Sequence, residues 1–146
     1  MAKLEFDIVT AERIVYSAHV DVVVAPGVEG QLAILPNHAA LMTTLQPGEL
    51  VVRDEGEETA MFVRSGFLEV CENRVTVLAD VAEQAEEIDV ERAEEAKRRA
   101  QEMLQQRGPE VDLARAEAAL QRALVRISVA QKRKRRRAGP PRMDVT

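Results

Sequence analysis

Between residues 88 and 130 the chain writes one helical unit twice. Residues 88–100 (IDVERAEEAKRRA) and 111–123 (VDLARAEAALQRA) share Asp, Arg, Ala, Glu, Ala, Arg and Ala in register, the mark of an internal repeat. Each copy opens with an apolar residue, then Asp, then strong helix formers, so Asp89 and Asp112 are expected to cap the free N–H groups of two helices. Ile88 and Val111 precede the caps, where they can staple onto Ala93 and Ala116. Gly108-Pro109 stands between the copies as a helix stop. The predicted product is an antiparallel helical hairpin.

The facing surfaces of that hairpin read as Ala93, Ala96 and Ala100 against Ala116, Ala119 and Ala123, with Leu104, Leu113, Leu120, Leu124 and Ile127 as the larger groups. At about 25 cal/mol per Å² of apolar area, an alanine seam lets helices approach closely but stabilises them little. A hairpin that can detach and reopen is expected. Arginines are spaced as regularly as the alanines: Arg92 and Arg99 on the first helix, Arg115, Arg122 and Arg126 on the second. Each set lines one face. Such a face is either a solvated one, partnered by Glu91, Glu94, Glu95 and Glu117, or an anion site, since guanidinium forks suit phosphate oxygens.

Ahead of the repeat the periodicity is different. Lys3 to Thr10 alternates apolar and charged residues, and further strand-like runs follow at 20–25, 31–35, 49–53, 59–64, 66–71 and 74–79. Turn signals separate them, among them Pro26-Gly27, Pro36-Asn37, Pro47-Gly48, Ser65-Gly66 and Glu72-Asn73. Many short strands with no helical period make residues 1–84 an all-β sandwich or flattened barrel. Residues 85–87 read as a linker at the end of an acidic stretch, 88–137 as the hairpin and 138–146 as a disordered tail. The fold class is α+β.

Charge divides along the same line. Residues 1–84 carry 5 basic and 14 acidic side chains and residues 85–146 carry 15 and 11, so the net charge of -5 hides an acidic sandwich and a basic helical part. Lys132 to Arg137 is an unbroken basic run that suits a helix C-terminus and calls for an acidic partner: nucleic acid, a membrane surface or an acidic protein segment. No apolar run reaches the length of a membrane span, which points to a cytosolic protein without membrane insertion. Cys71 is the single cysteine, so no internal disulfide forms, and it reads as a small core or strand residue. No catalytic constellation is found: no phosphate-cradling glycine loop, no His-Glu-x-x-His, no serine elbow, and His19 and His38 lack a second ligand at useful spacing. An enzyme, and a nucleic-acid module using the basic run, are the competing function classes. The second is opposed by the acidic sandwich and the lack of base-stacking aromatics.

Four stretches, Gly30-Gln-Leu-Ala-Ile-Leu-Pro-Asn-His38, Leu45-Gln-Pro-Gly48, Ser65-Gly-Phe-Leu-Glu-Val70 and Val75-Thr-Val-Leu-Ala-Asp80, occur in an order and spacing that resembles the ε subunits of bacterial rotary, proton-translocating ATP synthases. The resemblance runs from about residue 3 to 134. It implies a flattened β-sandwich of about ten strands followed by the two-helix hairpin, and a non-catalytic central-stalk role coupling rotation to ATP synthesis. It implies as partners the γ subunit, the c ring and the catalytic α/β head, on the cytoplasmic face of the cell membrane. Glu29, Gly30 and Gln31 would face the c ring and His38 would lie near γ. The family pattern has Glu, Gly and Gly where this chain has Gln31, Ala33 and Asn37, so position 31 brings no carboxylate to the c-ring contact.

In that family the hairpin either folds beside the sandwich or extends into the head and blocks ATP hydrolysis. The resemblance makes Arg122, Arg126, Lys132, Arg133 and Lys134 the candidates for contact with the β subunits. Some bacterial members clasp ATP in the folded hairpin through an Ile/Leu-Asp-x-x-Arg-Ala motif, of which residues 88–93 are a complete instance. Carried over, the ATP set is Glu83, Ile88, Asp89, Arg92, Ala93, Arg99, Arg122 and Arg126, with ATP as a regulatory ligand and no required cofactor. The same motif is also a good helix start, which explains it without a nucleotide.

Overall fold

The computed structural model describes residues 3–106 and 112–138, the last six of these by backbone alone. Ten strands come first: β1 Leu4–Val9, β2 Ile14–Val20, β3 Val22–Gly27, β4 Gly30–Ile34, β5 Leu41–Leu45, β6 Gly48–Asp54, β7 Glu57–Val63, β8 Gly66–Cys71, β9 Arg74–Ala79 and β10 Ala82–Gln84. A 3-10 turn at Ala85–Glu87 leads to helix α1, Val90–Gln105, and then α2, Leu113–Ala138. The α+β class and the order sandwich-then-hairpin are as the sequence predicts.

The strands hydrogen-bond in the order β10-β7-β6-β3-β5-β8-β9-β1-β2, with β4 paired to β3. In the strand ladder the two halves join at one residue pair, Gly27 with Leu45, flanked by backbone bonds from Val28 to Thr44 and from Gln46 to Pro26. All pairs are antiparallel except β1 with β9, which the chain closes only after all the intervening strands are laid down. The alternation of β1 is realised directly: Leu4, Phe6 and Ile8 are buried in a core with Val23, Leu50, Met61, Leu68 and Val77. Gly66, at the edge of that core, has a positive φ of 155°, and a Cβ there would lie 2.1 Å from the Leu78 carbonyl oxygen. Only glycine fits such an approach.

Three strands were hidden from pattern reading. In β2 the buried Val15 and Val20 stand five apart and in β5 only Leu45 is buried, so neither shows a clean period, and β10, inside the acidic stretch, takes its structure from pairing with β7. Cys71 ends β8 as expected of a strand residue, but it is exposed, because the final position of that strand points outward.

Both predicted caps form: the Asp89 carboxylate accepts from the Arg92 N–H at 3.1 Å and Asp112 from the Arg115 N–H at 3.1 Å. Ala93, Ala100, Ala116, Ala123 and Ile127 are buried in the hairpin, while Ala119, Leu104 and Leu120 are half-buried. Ala96, Leu113 and Leu124 are exposed, which corrects the predicted seam. Helical rotation takes position 96 off the stripe through 93 and 100, and the half-buried Lys97 stem lies there instead. Ile88 is buried, but its neighbours are the outer strands and α2, so it anchors the hairpin to the sandwich. Val111, Gly108 and Pro109, and the tail 139–146, lie outside the described residues.

Candidate functional site

Strand β7 buries Ala60, Met61, Phe62 and Val63 in succession, which a strand with one wet face cannot do. Met61 and Val63 enter the sandwich core, whereas Ala60 and Phe62 face the other way, into a second cluster with Ala85, Ile88, Val129 and Ala130. This cluster is where α2 docks. The unbroken apolar run in β7 was the sequence signal for a covered outer face; residue periodicity within the helices could not show it.

On this outer face Phe62 pairs across to Glu49 of β6 on one side and Glu83 of β10 on the other. Arg126 of α2 enters the resulting socket. Its Nε and Nη2 donate to one oxygen of Glu83, at 3.0 and 2.8 Å, and its guanidinium carbon lies 4.5 Å from the centre of the Phe62 ring. The Arg126 and Glu83 side chains keep only 30% and 24% of their surface exposed and Phe62 is buried, so the pair and the cation–π contact act in a partly desolvated site. Six residues on, the Lys132 ammonium donates to Glu49.

The approach to α1 is fixed as firmly. Nη2 of Arg13, in the β1–β2 connection, lies 2.8 and 2.9 Å from the two oxygens of Glu87, and the Gln84 N–H donates to the same carboxylate at 3.1 Å. The hydrogen bond from Arg13 is the main reason the Glu87 carboxyl is held below the usual carboxylate range, against a smaller opposing effect of burial. The Gln84 side chain donates to the Val15 carbonyl at 2.8 Å. The hairpin therefore leaves the sandwich from an anchored point, immediately before Ile88.

Of the residues singled out for a triphosphate, the structure joins Glu83 to Arg126 and Asp89 to the Arg92 backbone. Ile88 and Ala93 are buried beneath the start of α1. Arg99 is spent on Glu95 one turn back on its own helix, at 2.7 Å. Arg92 is exposed and Arg122 half-buried, and neither has an ion pair or side-chain hydrogen bond among the described residues. In the antiparallel hairpin Arg92 lies 14 residues before Gln106 and Arg126 14 residues after Asp112, which puts them at one level. At about 1.5 Å rise per residue, Arg122 is about 6 Å nearer the turn. Two guanidinium groups without an ion-pair partner among the described residues thus lie within about one helical turn of the level of Arg126.

The loop residues fall at two ends of the sandwich. Glu29, Gly30 and Gln31 form the exposed tip of the β3–β4 hairpin, which Val28 N–H ties to the Thr44 carbonyl at 3.1 Å. His38 lies beyond the far end of β4, in a loop held by the Asn37 N–H to the Asn73 side chain at 2.8 Å; its Nδ1 is 2.7 Å from the Ala39 carbonyl oxygen. The side chains of Arg133 and Lys134 lie outside the described residues.

A third surface was missed in the sequence. On the outer face of the other half, Thr44, Phe67, Leu78, Val9 and Ile14 form one cross-strand row through five strands. Phe67, Leu78 and Ile14 are more than half exposed, and a groove of about 430 Å³ runs beside Thr10, Ser65 and Asp80. Its signal was the surplus of apolar residues at the wrong parity in β8 and β9. Among the described residues no cluster of His, Cys, Asp or Glu could hold a metal ion, and no helix is long and apolar enough to cross a membrane.

Comparison with known proteins covers nearly all of this architecture. Residues 3–85 match the family profile described as ATP synthase, Delta/Epsilon chain, beta-sandwich domain, and residues 86–131 the one described as the long alpha-helix domain. An ATP synthase epsilon chain of Dehalococcoides mccartyi is 58% identical over 136 residues, covering 92% of this chain and 97% of that one. That of Herpetosiphon aurantiacus is 51% identical over 133 residues, 91% and 98% of the two chains. Among solved structures, a chain of the Euglena gracilis mitochondrial ATP synthase (OSCP/F1/c-ring) superposes with a TM-score of 0.72 at 23% identity, over 92% of this chain and 82% of that one, a likeness of fold.

Proposed function

Because the chain belongs to the ATP synthase delta/epsilon family, with both family domains present in order, we propose that its hairpin is the moving part of a non-catalytic stalk subunit. In this reading the sandwich couples rotation of the c ring and the γ subunit to ATP synthesis at the cytoplasmic face of the membrane. The apolar row through Phe67 and Leu78 is the surface it offers to γ, and the Glu29–Gln31 tip is the one offered to the c ring. With the hairpin extended, Arg122, Arg126, Lys132, Arg133 and Lys134 meet the catalytic head and stop hydrolysis.

The observation that carries this reading is how the hairpin is attached. α2 touches the sandwich through one apolar cluster around Phe62 and Val129 and two ion pairs, all on a face separate from the main core. The hairpin can therefore leave without opening the sandwich core. Detachment exposes Phe62, Val129 and Ala130, so the extended form must cover them against another chain.

ATP enters as the ligand of the folded form. Arg92 and Arg122, without an ion-pair partner among the described residues, supply the guanidinium groups, with Glu83, Ile88, Asp89, Ala93, Arg99 and Arg126 completing the set. A ligand bound by the folded arrangement alone moves the population toward it. Calorimetric titration of the isolated chain with ATP, with GTP and Arg92→Ala as controls, tests this. Heat with ATP that is lost in the variant is expected. An equal response to GTP, or no heat at millimolar ATP, would remove the nucleotide from the account and leave Asp89 and Arg92 as helix-start residues.

A further inference from the structure

Glu49, Phe62 and Glu83 stand in one cross-strand row over three adjacent strands, a buried ring between two carboxylates. A carboxylate beneath a helix is costly unless a cation meets it, and α2 supplies one at each end: Arg126 on Glu83 and Lys132 on Glu49. Val129 and Ala130 lie between the two cations in the chain and are buried with Phe62. The row and the helix are thus complementary in order, acid–aromatic–acid against cation–apolar–cation.

We propose that this row is a latch that holds the hairpin down without nucleotide, and that Glu49 is its exchangeable end. Lys132 is the reason. It opens the basic run that ends α2, so the same ammonium that Glu49 holds in the folded form is among the cations the extended form presents to an acidic partner. Glu49 stands in for that partner, and opening becomes an exchange of one carboxylate for another. Such an exchange keeps the two forms close in free energy, as a reversible brake requires. The Glu83 end, doubly bonded and stacked on Phe62, resists release; the Glu49 end, with the Lys132 side chain 40% exposed, is the weaker point at which opening starts.

The inference rests on the detachable hairpin proposed above, and its test separates the two. With Cys71→Ser removing the exposed native thiol, Val129→Cys places one thiol in the closed interface of the full-length chain. Its modification rate by a thiol reagent, without nucleotide, reports the open fraction, and Val70→Cys in the sandwich core reports global unfolding. Val129→Cys is expected to react faster than Val70→Cys. Glu49→Gln should speed its reaction about 2- to 5-fold, the range for a partly exposed ion pair. Lys132→Gln should do the same, the double variant no more than either, and Glu49→Lys with Lys132→Glu should restore the slow rate. Equal rates at positions 129 and 70 would overturn the detachable hairpin and the latch together. A fast position 129 unmoved by Glu49→Gln, or effects of the two substitutions that simply add, would overturn the latch alone.

Discussion

Arg13 lowers the pKa of Glu87 and, by the same contact, fixes the point from which the helices depart. Folding depresses the Glu87 pKa, chiefly through the Arg13 hydrogen bond, so the folded chain binds that proton less readily than the unfolded one. The stabilisation is complete above the unfolded value, about 4.3, and is lost as pH falls through the depressed folded value. Arg13→Ala should return the Glu87 carboxyl toward the ordinary range in an NMR titration. Acid stability should then decline less between neutral pH and the bottom of that window. An unchanged Glu87 titration would mean that the Arg13 contact at 2.8 and 2.9 Å does not persist in solution. At this scale the helix caps were fully legible, because an N-cap is decided within four residues and needs no tertiary partner. The partners of Arg13, Arg126 and Lys132 were not: they lie 74, 43 and 83 positions away in the chain, and nothing local to an arginine names the carboxylate it will meet.

Strand β7 shows how one element can serve two bodies. Met61 belongs to the sandwich core and its neighbour Phe62 to the hairpin interface, both fully buried. The two substitutions should therefore separate. Met61→Ala is expected to cost the sandwich about 2–5 kcal/mol and to lower the urea midpoint read from Tyr16 fluorescence. Phe62→Ala, a larger truncation, should leave that midpoint nearly unchanged and should instead make α2 open to proteolysis in native buffer. A midpoint that fell as far in Phe62→Ala as in Met61→Ala would show that hairpin and sandwich unfold as one unit. Seven strands were legible from alternation or, in β3 and β7, from short apolar runs between turn signals; β2, β5 and β10 were not, since each owes its extended form to a neighbour. The seam was half legible. Alanine spacing picked out Ala93, Ala100, Ala116 and Ala123, but Leu113 and Leu124 are exposed in the folded hairpin, where bulk alone was a poor guide to facing.

Over the whole molecule, the charge division of the sequence becomes a docking geometry. The acidic half supplies Glu49 and Glu83 and the basic half supplies Lys132 and Arg126, so the protein in its folded form partly neutralises itself. The two ion pairs that help hold the hairpin are contacts another acidic surface could replace, as the proposed brake requires. The α+β order and the helical repeat were readable from one sequence, and the motif order pointed to the family; which face α2 covers was not, because it depends on how a helix and a distant strand meet. The most direct test of the regulatory claim is the ATP hydrolysis rate of the assembled enzyme, with the full chain and with a chain ending at Glu87. The main core of the sandwich and the Arg13–Glu87 contact both lie within the residues the shorter form retains. Faster hydrolysis with the truncated chain, at equal incorporation into the complex, is the predicted result. Equal rates would contradict it and leave the hairpin without a braking role.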